Sequence, residues 1–235
     1  MSRVAFVTGA SGAIGSAVVT DLVAREFIVV RVSRSLPNHS DAQGASFTCD
    51  VTDPAAIADT IDEVVRVYGH LDVAVLCAGA AAPGRASSLT SSSLQDALSV
   101  NLMGVVNTCS ALARIFREQR SGSLIHIGTL RAFQFSPNRC AYSTAKAAAR
   151  AYVMSLGGEL QSLGVDTTIV NPGFVDTPFY GSAARRPWTM TQDDTDFTRA
   201  PLLSPEALAE VIGTFAELPC SASVNEVNIG RLWAP

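Results

Sequence analysis

The chain has 235 residues, 48% of them hydrophobic and only 7% aromatic, with a formal charge of −4 at pH 7. That is enough apolar material for one sizeable core and too much for a disordered chain, and the absence of basic runs argues against nucleic acid or an anionic membrane as a general partner. Five cysteines, Cys49, Cys77, Cys109, Cys140 and Cys220, are scattered without CxxC or Cys/His spacing, so reduced thiols and no metal site are expected.

Taken in chain order, "VAFVTGA" reads as a buried strand ending in glycine, and "AIGSAVVTDLVARE" as a helix with Ile14, Val18 and Leu22 on one face. "FIVVRVSR" and "SFTCD" read as strands, and "DPAAIADTIDEVVRVYG" as a helix capped by Asp53 with Pro54 at its first position. "DVAVLCAGA" is a strand, "SSLQDALSVNLMGVVNTCSALARIFREQ" one long helix, "GSLIHIGT" a strand, and "AYSTAKAAARAYVMSLGGELQSLG" a helix stopped near Gly164. "VDTTIVNPG" follows as a strand, then an irregular stretch over 176–203, a helix "SPEALAEVIGTFAEL" started by Ser204 and Pro205, and a short strand "VNEVNIG".

Strands that are apolar throughout and alternate with helices predict an α/β fold, a doubly wound parallel sheet covered on both faces, in a single domain over 1–235. Strand-like sequence at "RVAFVTGA" leaves no room for a leader, and no run reaches transmembrane length, so a cytoplasmic protein is expected. The 176–203 stretch is too long for an idle connection and reads as a functional loop or lid. It carries Phe179, Tyr180, Trp188, Met190 and Phe197 for an apolar cover, with Arg185 and Arg186 beside them.

The turn "TGASGAIG" places Gly9, Ser11, Gly12, Ala13, Ile14 and Gly15 between the first strand and the first helix. Free N–H groups and the positive end of the helix dipole suit a pyrophosphate there, and glycines let it approach; the alternative is a tight turn with no ligand. At the end of the second strand stand Ser33 and Arg34, with no acidic residue in "VSRS". That chemistry favours the 2′-phosphate of NADP(H) over the ribose hydroxyl of NAD(H), against a reading of Arg34 as a solvated surface charge. Farther on, Tyr142 and Lys146 in "RCAYSTAK" are four apart on a helix, hence on one face. A nearby ammonium favours phenolate and brings a tyrosine toward a range useful for proton transfer.

With these motifs in this order, the chain resembles the short-chain dehydrogenase/reductase family over nearly its whole length. The match is to the shorter branch, although the Gly9, Gly12, Gly15 spacing is also that of the extended epimerase and dehydratase branch, whose chains are longer. The resemblance implies a Rossmann fold and places Asp50 and Val51 at the adenine, with capping of the next helix as the other role open to Asp50. The family's NNAG is "LCAG" here, keeping Ala78 and Gly79 for backbone contacts but losing both asparagines, whose side chains steady the central strand. Pro172, Gly173, Val175 and Thr177 of "NPGFVDTP" fall on the stretch that contacts nicotinamide.

The family's catalytic serine, thirteen residues before the tyrosine, is Thr129 here, which keeps the hydroxyl and adds a methyl and a stiffer χ1. Asn101 matches the asparagine that interrupts the long helix and supports a water linking the lysine to solvent, with an amide on the helix surface as its other reading. The implied reaction is hydride transfer between a nicotinamide and a carbonyl or secondary alcohol substrate. In it Tyr142 moves the proton, Thr129 orients the oxygen, and Lys146 holds the ribose and tunes the phenol. Arg131, two residues past Thr129, has two readings, recognition of a substrate carboxylate or a solvated charge. The chain's end also resembles a branch acting on small hydroxy acids and other carbonyl compounds. The resemblance implies a homodimer or homotetramer through the long helix and the alanine-rich Tyr142 helix, whose other reading is packing on its own sheet. The altered serine, NNAG and glycine loop, in which Gly12 comes one residue early and Ala13 stands at the family's usual middle glycine, motivate one alternative function, a non-catalytic NADP(H)-binding regulatory or scaffold protein. His39, His70 and His126 are isolated and suit solvent or core roles better than ligation.

Overall fold

The computed structural model describes residues 2–41, 44–134, 138–180, 202–219 and 222–230. At its centre is β1, Val4–Thr8, buried at every position. It pairs in parallel with β2 (Ile28–Ser33) on one side and β5 (Val73–Leu76) on the other. Outward from β2 lie β4 (Gly44–Thr48) and the edge strand β3 (His39–Asp41), and outward from β5 lie β6 (Gly122–Ile127), β7 (Val165–Pro172) and β8 (Glu226–Ile229). All these pairings are parallel except that of β3 with β4.

Alternate strand residues serve two separate cores, which is why the central strands are apolar at successive positions. Phe6, Val30, Leu76 and Leu124 face α2 (Pro54–Tyr68), α4 (Gly104–Gln119) and α5 (Cys140–Gln161), meeting Ile57, Ile61, Leu112, Phe116 and Val153. Ala5, Val7, Val29, Val75 and Ile125 face α1 (Ala13–Ala24) and α6 (Pro205–Ala216), meeting Val18, Leu22, Leu208 and Ile212. A fully buried side chain of this size contributes about 1.5–3 kcal/mol relative to exposure. The expected helix starts hold: Asp53 accepts from the N–H groups of Ala55 and Ala56, and Ser204 from that of Ala207.

Three features depart from the sequence reading. β3 is exposed at all three positions and carries no apolar pattern, so only its antiparallel pairing with β4 defines it. The long helix is broken into α3 (Ser91–Leu98), a π turn over Ser99–Met103 and α4. Its full span, Ser91–Gln119, is long and apolar enough to cross a membrane, against the expectation that no run would be, yet α4 packs as a core helix with Leu112 and Phe116 fully buried.

The connection that positions the site is the reversal between β1 and β5. The chain steps outward from β1 through β2 to β4, then returns to place β5 on the other side of β1, opening a crevice at the strands' C-terminal ends. The 176–203 stretch leaves this edge with its ends pinned together: Val175 bridges Leu203, the Asp176 N–H donates to Leu203 O at 2.9 Å, and the Leu203 N–H donates to Phe174 O at 2.9 Å. Pro178–Tyr180 form a 3-10 turn, and the expected lid residues Trp188, Met190, Phe197, Arg185 and Arg186 lie outside the described residues.

Candidate active site

The glycine turn is packed directly on the reversal. Gly9 has φ +65°, and a Cβ there would come 2.8 Å from the backbone of Cys77 and Ala78, just past β5. A Cβ on Gly15 would sit 2.2 Å from Gly9 O, so the turn closes only with glycine at both places. Gly12 caps α1 with no side-chain hydrogen bond, which leaves the first-turn N–H groups of Ala13, Ile14 and Gly15 without a capping side chain at the cavity wall.

Beside this turn three serine hydroxyls form a ring: Ser11 to Ser33 at 2.6 Å, Ser33 to Ser35 at 3.1 Å, and Ser35 to Ser11 at 2.9 Å. Arg34 stands next to them, its side chain 70% exposed and 3.8 Å from Asp50. Asp50 does not cap α2, a role Asp53 fills; its carboxylate accepts from the N–H and hydroxyl of Thr52, both at 2.9 Å. The Thr52 N–H is the main reason its pKa lies below the usual carboxylate value, with the Thr52 hydroxyl and Arg34 adding to the effect. Val51 is buried and packs against Gly104, where a Cβ would meet its Cγ2 at 2.6 Å.

In "LCAG", where the family has NNAG, the backbone past β5 is held by side chains from elsewhere in the chain. Thr8 Oγ1 accepts from the Ala78 N–H at 3.3 Å, and Asn101 clamps Ala80, its Oδ1 accepting from Ala80 N at 3.1 Å and its Nδ2 donating to Ala80 O at 3.0 Å. Gly79 lies between the two sides of the site, since a Cβ there would be 3.2 Å from Asn101 Oδ1 and 3.8 Å from Lys146 Nζ.

At the other end of the crevice, Tyr142 and Lys146 lie one turn apart on α5 and are both buried. Lys146 Nζ donates to Ile127 O at 2.8 Å, and burial lowers its pKa to about 8. Cys77 close by is pushed up to about 12 by its own burial, and His126 is held well below its ordinary value, so both are neutral at pH 7. The Tyr142 ring meets Phe179 edge-on with centroids 5.9 Å apart. Thr129 Oγ1 accepts from the Arg131 N–H at 3.2 Å, which leaves the hydroxyl's own proton to donate. Arg131 and Arg139 stack on the ring of Phe174, their guanidinium carbons 4.9 and 5.7 Å from its centroid.

One cavity of about 980 Å³ joins these parts, and every residue assigned from the sequence to catalysis or to the cofactor lines it except Asn101, which lies behind Gly79 and Ala80. Ser35, Phe174 and Arg139 line it too and were missed. Ser35 carried a signal, since it completes the run "SRS"; the other two are placed by tertiary packing alone.

A sequence profile of the short chain dehydrogenase family matches residues 3–187. The chain belongs to this family. An uncharacterized oxidoreductase of Staphylococcus epidermidis is 28% identical over 233 residues, covering 97% of this chain and 96% of its own. The 2,3-dihydro-2,3-dihydroxybenzoate dehydrogenase of Bacillus subtilis is 31% identical over 184 residues, 74% of this chain and 70% of that one. Among solved structures, an alcohol dehydrogenase of the archaeon Thermococcus sibiricus, complexed with 5-hydroxy-NADP, superposes with a TM-score of 0.83 at 24% identity. The match covers 100% of this short-chain dehydrogenase and 99% of that chain, and the likeness is one of fold. The protein is therefore an oxidoreductase of the short-chain dehydrogenase family, with its parallel sheet flanked by helices on both faces. Among the described residues no cluster of three or more His, Cys, Asp or Glu could hold a metal ion.

Proposed function

We propose that this oxidoreductase transfers a hydride between NADP(H) and a carbonyl or secondary alcohol, with Tyr142 as general acid/base. The observation that carries the reading is the shared cavity, which has the uncapped start of α1 and Arg34 at one end and Tyr142, Lys146 and Thr129 at the other. The residues fit a phosphorylated dinucleotide. Gly9 and Gly15 close a turn that no Cβ could enter, Arg34 and the hydroxyls of Ser11, Ser33 and Ser35 offer phosphate donors, and the nearby Asp50 is engaged by Thr52. The Thermococcus sibiricus enzyme of the same fold was solved with an NADP derivative, which supports the same preference.

The nicotinamide supplies or accepts the hydride when bound. The Tyr142 hydroxyl gives its proton to the substrate oxygen in reduction and takes it back in oxidation, while the Thr129 hydroxyl donates to that oxygen and fixes its place. Lys146 at about 8 is mostly charged at pH 7, so its ammonium favours phenolate and remains available to ribose hydroxyls. Asn101 positions the Gly79–Ala80 backbone beside Lys146 and supports the proton relay from there. Arg131 and Arg139 line the same cavity, and a carboxylate is the substrate group a guanidinium there would recognise, so keto acids belong among the carbonyl compounds to be tested.

The test is a panel of ketones, aldehydes and keto acids, each keto acid paired with its methyl ester, assayed with NADPH and with NADH. Turnover that prefers NADPH and disappears in Tyr142→Phe is expected. Tight NADPH binding without turnover, unaltered by Tyr142→Phe, would replace this reading with a cofactor-binding regulatory role. A cytoplasmic setting belongs to the same proposal and is supported by Cys49, Cys77, Cys109 and Cys140 being free thiols.

A further inference from the structure

We propose that Asn171 is the positioning residue that aims Thr129, held in one orientation by a chain running through Glu226 to Arg150 on the helix of Tyr142 and Lys146. The inference rests on the reading of Thr129 as the hydroxyl that holds the substrate oxygen, and it gives a role to the one residue at the head of "NPGFVDTP" that the sequence left without one. Asn171 lies near the end of β7 and is fully buried. Its Oδ1 accepts from the Thr129 N–H at 3.1 Å, and its Nδ2 donates to Glu226 at 2.7 Å and to Asn228 Oδ1 at 3.2 Å.

The orientation of that amide is not arbitrary. An ionised Glu226 can only accept, so the NH2 of Asn171 must face it and the carbonyl oxygen is left for Thr129. Arg150 forks onto the same carboxylate, with Nε on Oε1 at 2.6 Å and Nη2 on Oε2, and stacks over Phe133 at 4.6 Å. Arg150 is one turn beyond Lys146 on α5, so the chain ties the helix carrying the proton donor to the strand exit carrying the second hydroxyl.

Two further observations show that the exit is built around this bond. The last ladder bond of β6 is Gly128 N–H to Val170 O at 2.8 Å, and the next N–H, that of Thr129, goes to the Asn171 side chain instead of backbone. Gly128 must be glycine for the amide to reach, since a Cβ there would lie 2.2 Å from Asn171 Oδ1. Threonine's stiff χ1 then turns a fixed backbone into a fixed hydroxyl, so replacement of the usual serine strengthens the dependence on this anchor.

The experiment is a double-mutant cycle on the best substrate of the panel. Asn171→Ala is expected to lower kcat at least tenfold while changing the NADPH KM by less than about threefold. Adding it to Thr129→Val should cost nothing more, because both remove the same interaction. Glu226→Ala should resemble Asn171→Ala, and Glu226→Gln, which retains an acceptor oxygen, should recover most of the rate. Losses that multiply in the double variant, or a full rate in Asn171→Ala, overturn the proposal. Amide exchange at Thr129, read by NMR, decides independently of turnover. Exchange at least tenfold faster in Asn171→Ala, or in Glu226→Ala should the first not fold, with Ile127 little changed, upholds the anchor, and unaltered exchange at Thr129 overturns it. Should Tyr142→Phe keep full activity, the reading of Tyr142 as general acid/base falls, and should the panel show no turnover the hydride-transfer reading falls, while in either case the exchange result still settles the anchor.

Discussion

Lys146 is a cation that folding removes from water: it donates to the carbonyl of Ile127, and among the described residues the thiol beside it that would supply counter-charge, Cys77, is neutral at pH 7. Its pKa falls from 10.5 to about 8, so between those values the unfolded chain holds a proton that the folded one has released. Stability therefore rises with pH through that window, and the full cost is present below pH 8. The cost is at most about 3 kcal/mol, at roughly 1.4 kcal/mol for each pH unit of the window. Lys146→Met should then raise the Tm of the cofactor-free protein at pH 7, at ~2–4 °C per kcal/mol for a chain of this size, while abolishing turnover. The gain should shrink toward pH 10, and a lower Tm at pH 7 would show that burial of this ammonium carries no such cost. Thr129 supplies the companion prediction. Thr129→Ser should retain most of the rate and Thr129→Val should lose about 10²–10³ of it, the range for removing one donor to a reacting oxygen. Equal rates for serine and valine would take the hydroxyl out of the chemistry.

At the scale of elements, the π turn over Ser99–Met103 is the feature that brings Asn101 to bear. A regular helix would present that side chain once every 3.6 residues on a uniform face, whereas the widened turn lets Asn101 reach Ala80 while its Nδ2 also donates to Ala97 O at 3.0 Å. Asn101→Ala leaves the N–H and C=O of the half-buried Ala80 without that partner, at a cost toward the lower end of the about 1–3 kcal/mol for stranding a buried polar group. A lower Tm and weaker NADPH binding are expected, because Ala80 holds in place Gly79, which lines the cavity proposed for the cofactor; unchanged NADPH affinity would place the clamp outside the site. The asparagine was legible in the sequence as a mid-helix polar residue, but the widening was not, since apolar spacing on either side continues as one helix. The central strands and the glycine turn were legible for the opposite reason: burial on both faces writes itself into consecutive residues such as Val4–Thr8. β3 left no such trace, and the ring closed by Ser35 and the anchor at Asn171 depend on partners 24 and 42 residues away.

At the scale of the whole molecule, the single chain leaves apolar surface uncovered on two contacting helices. Only 44% of the most apolar 18-residue window of Ser91–Gln119 is buried inside the protein. Met103 on that span and Met154 on α5 are 46% and 39% exposed. Long flexible apolar side chains left in this state on two contacting helices suit a helical face shared with a second copy, and homodimers bury such faces in interfaces richer in apolar atoms than ordinary surface. A homodimer or homotetramer is therefore proposed, and light scattering should give a mass at least twice the 24.6 kDa of one chain. Met154→Glu would place a charge within that face and should shift the population toward the single chain, and the Tm of the parent protein should rise with its concentration as mass action requires. Because α5 also carries Tyr142 and Lys146, loss of the second copy should lower kcat along with Tm. A parent protein that runs as a single chain at micromolar concentration, with a Tm independent of concentration, would return the alanine-rich helix to ordinary packing on its own sheet.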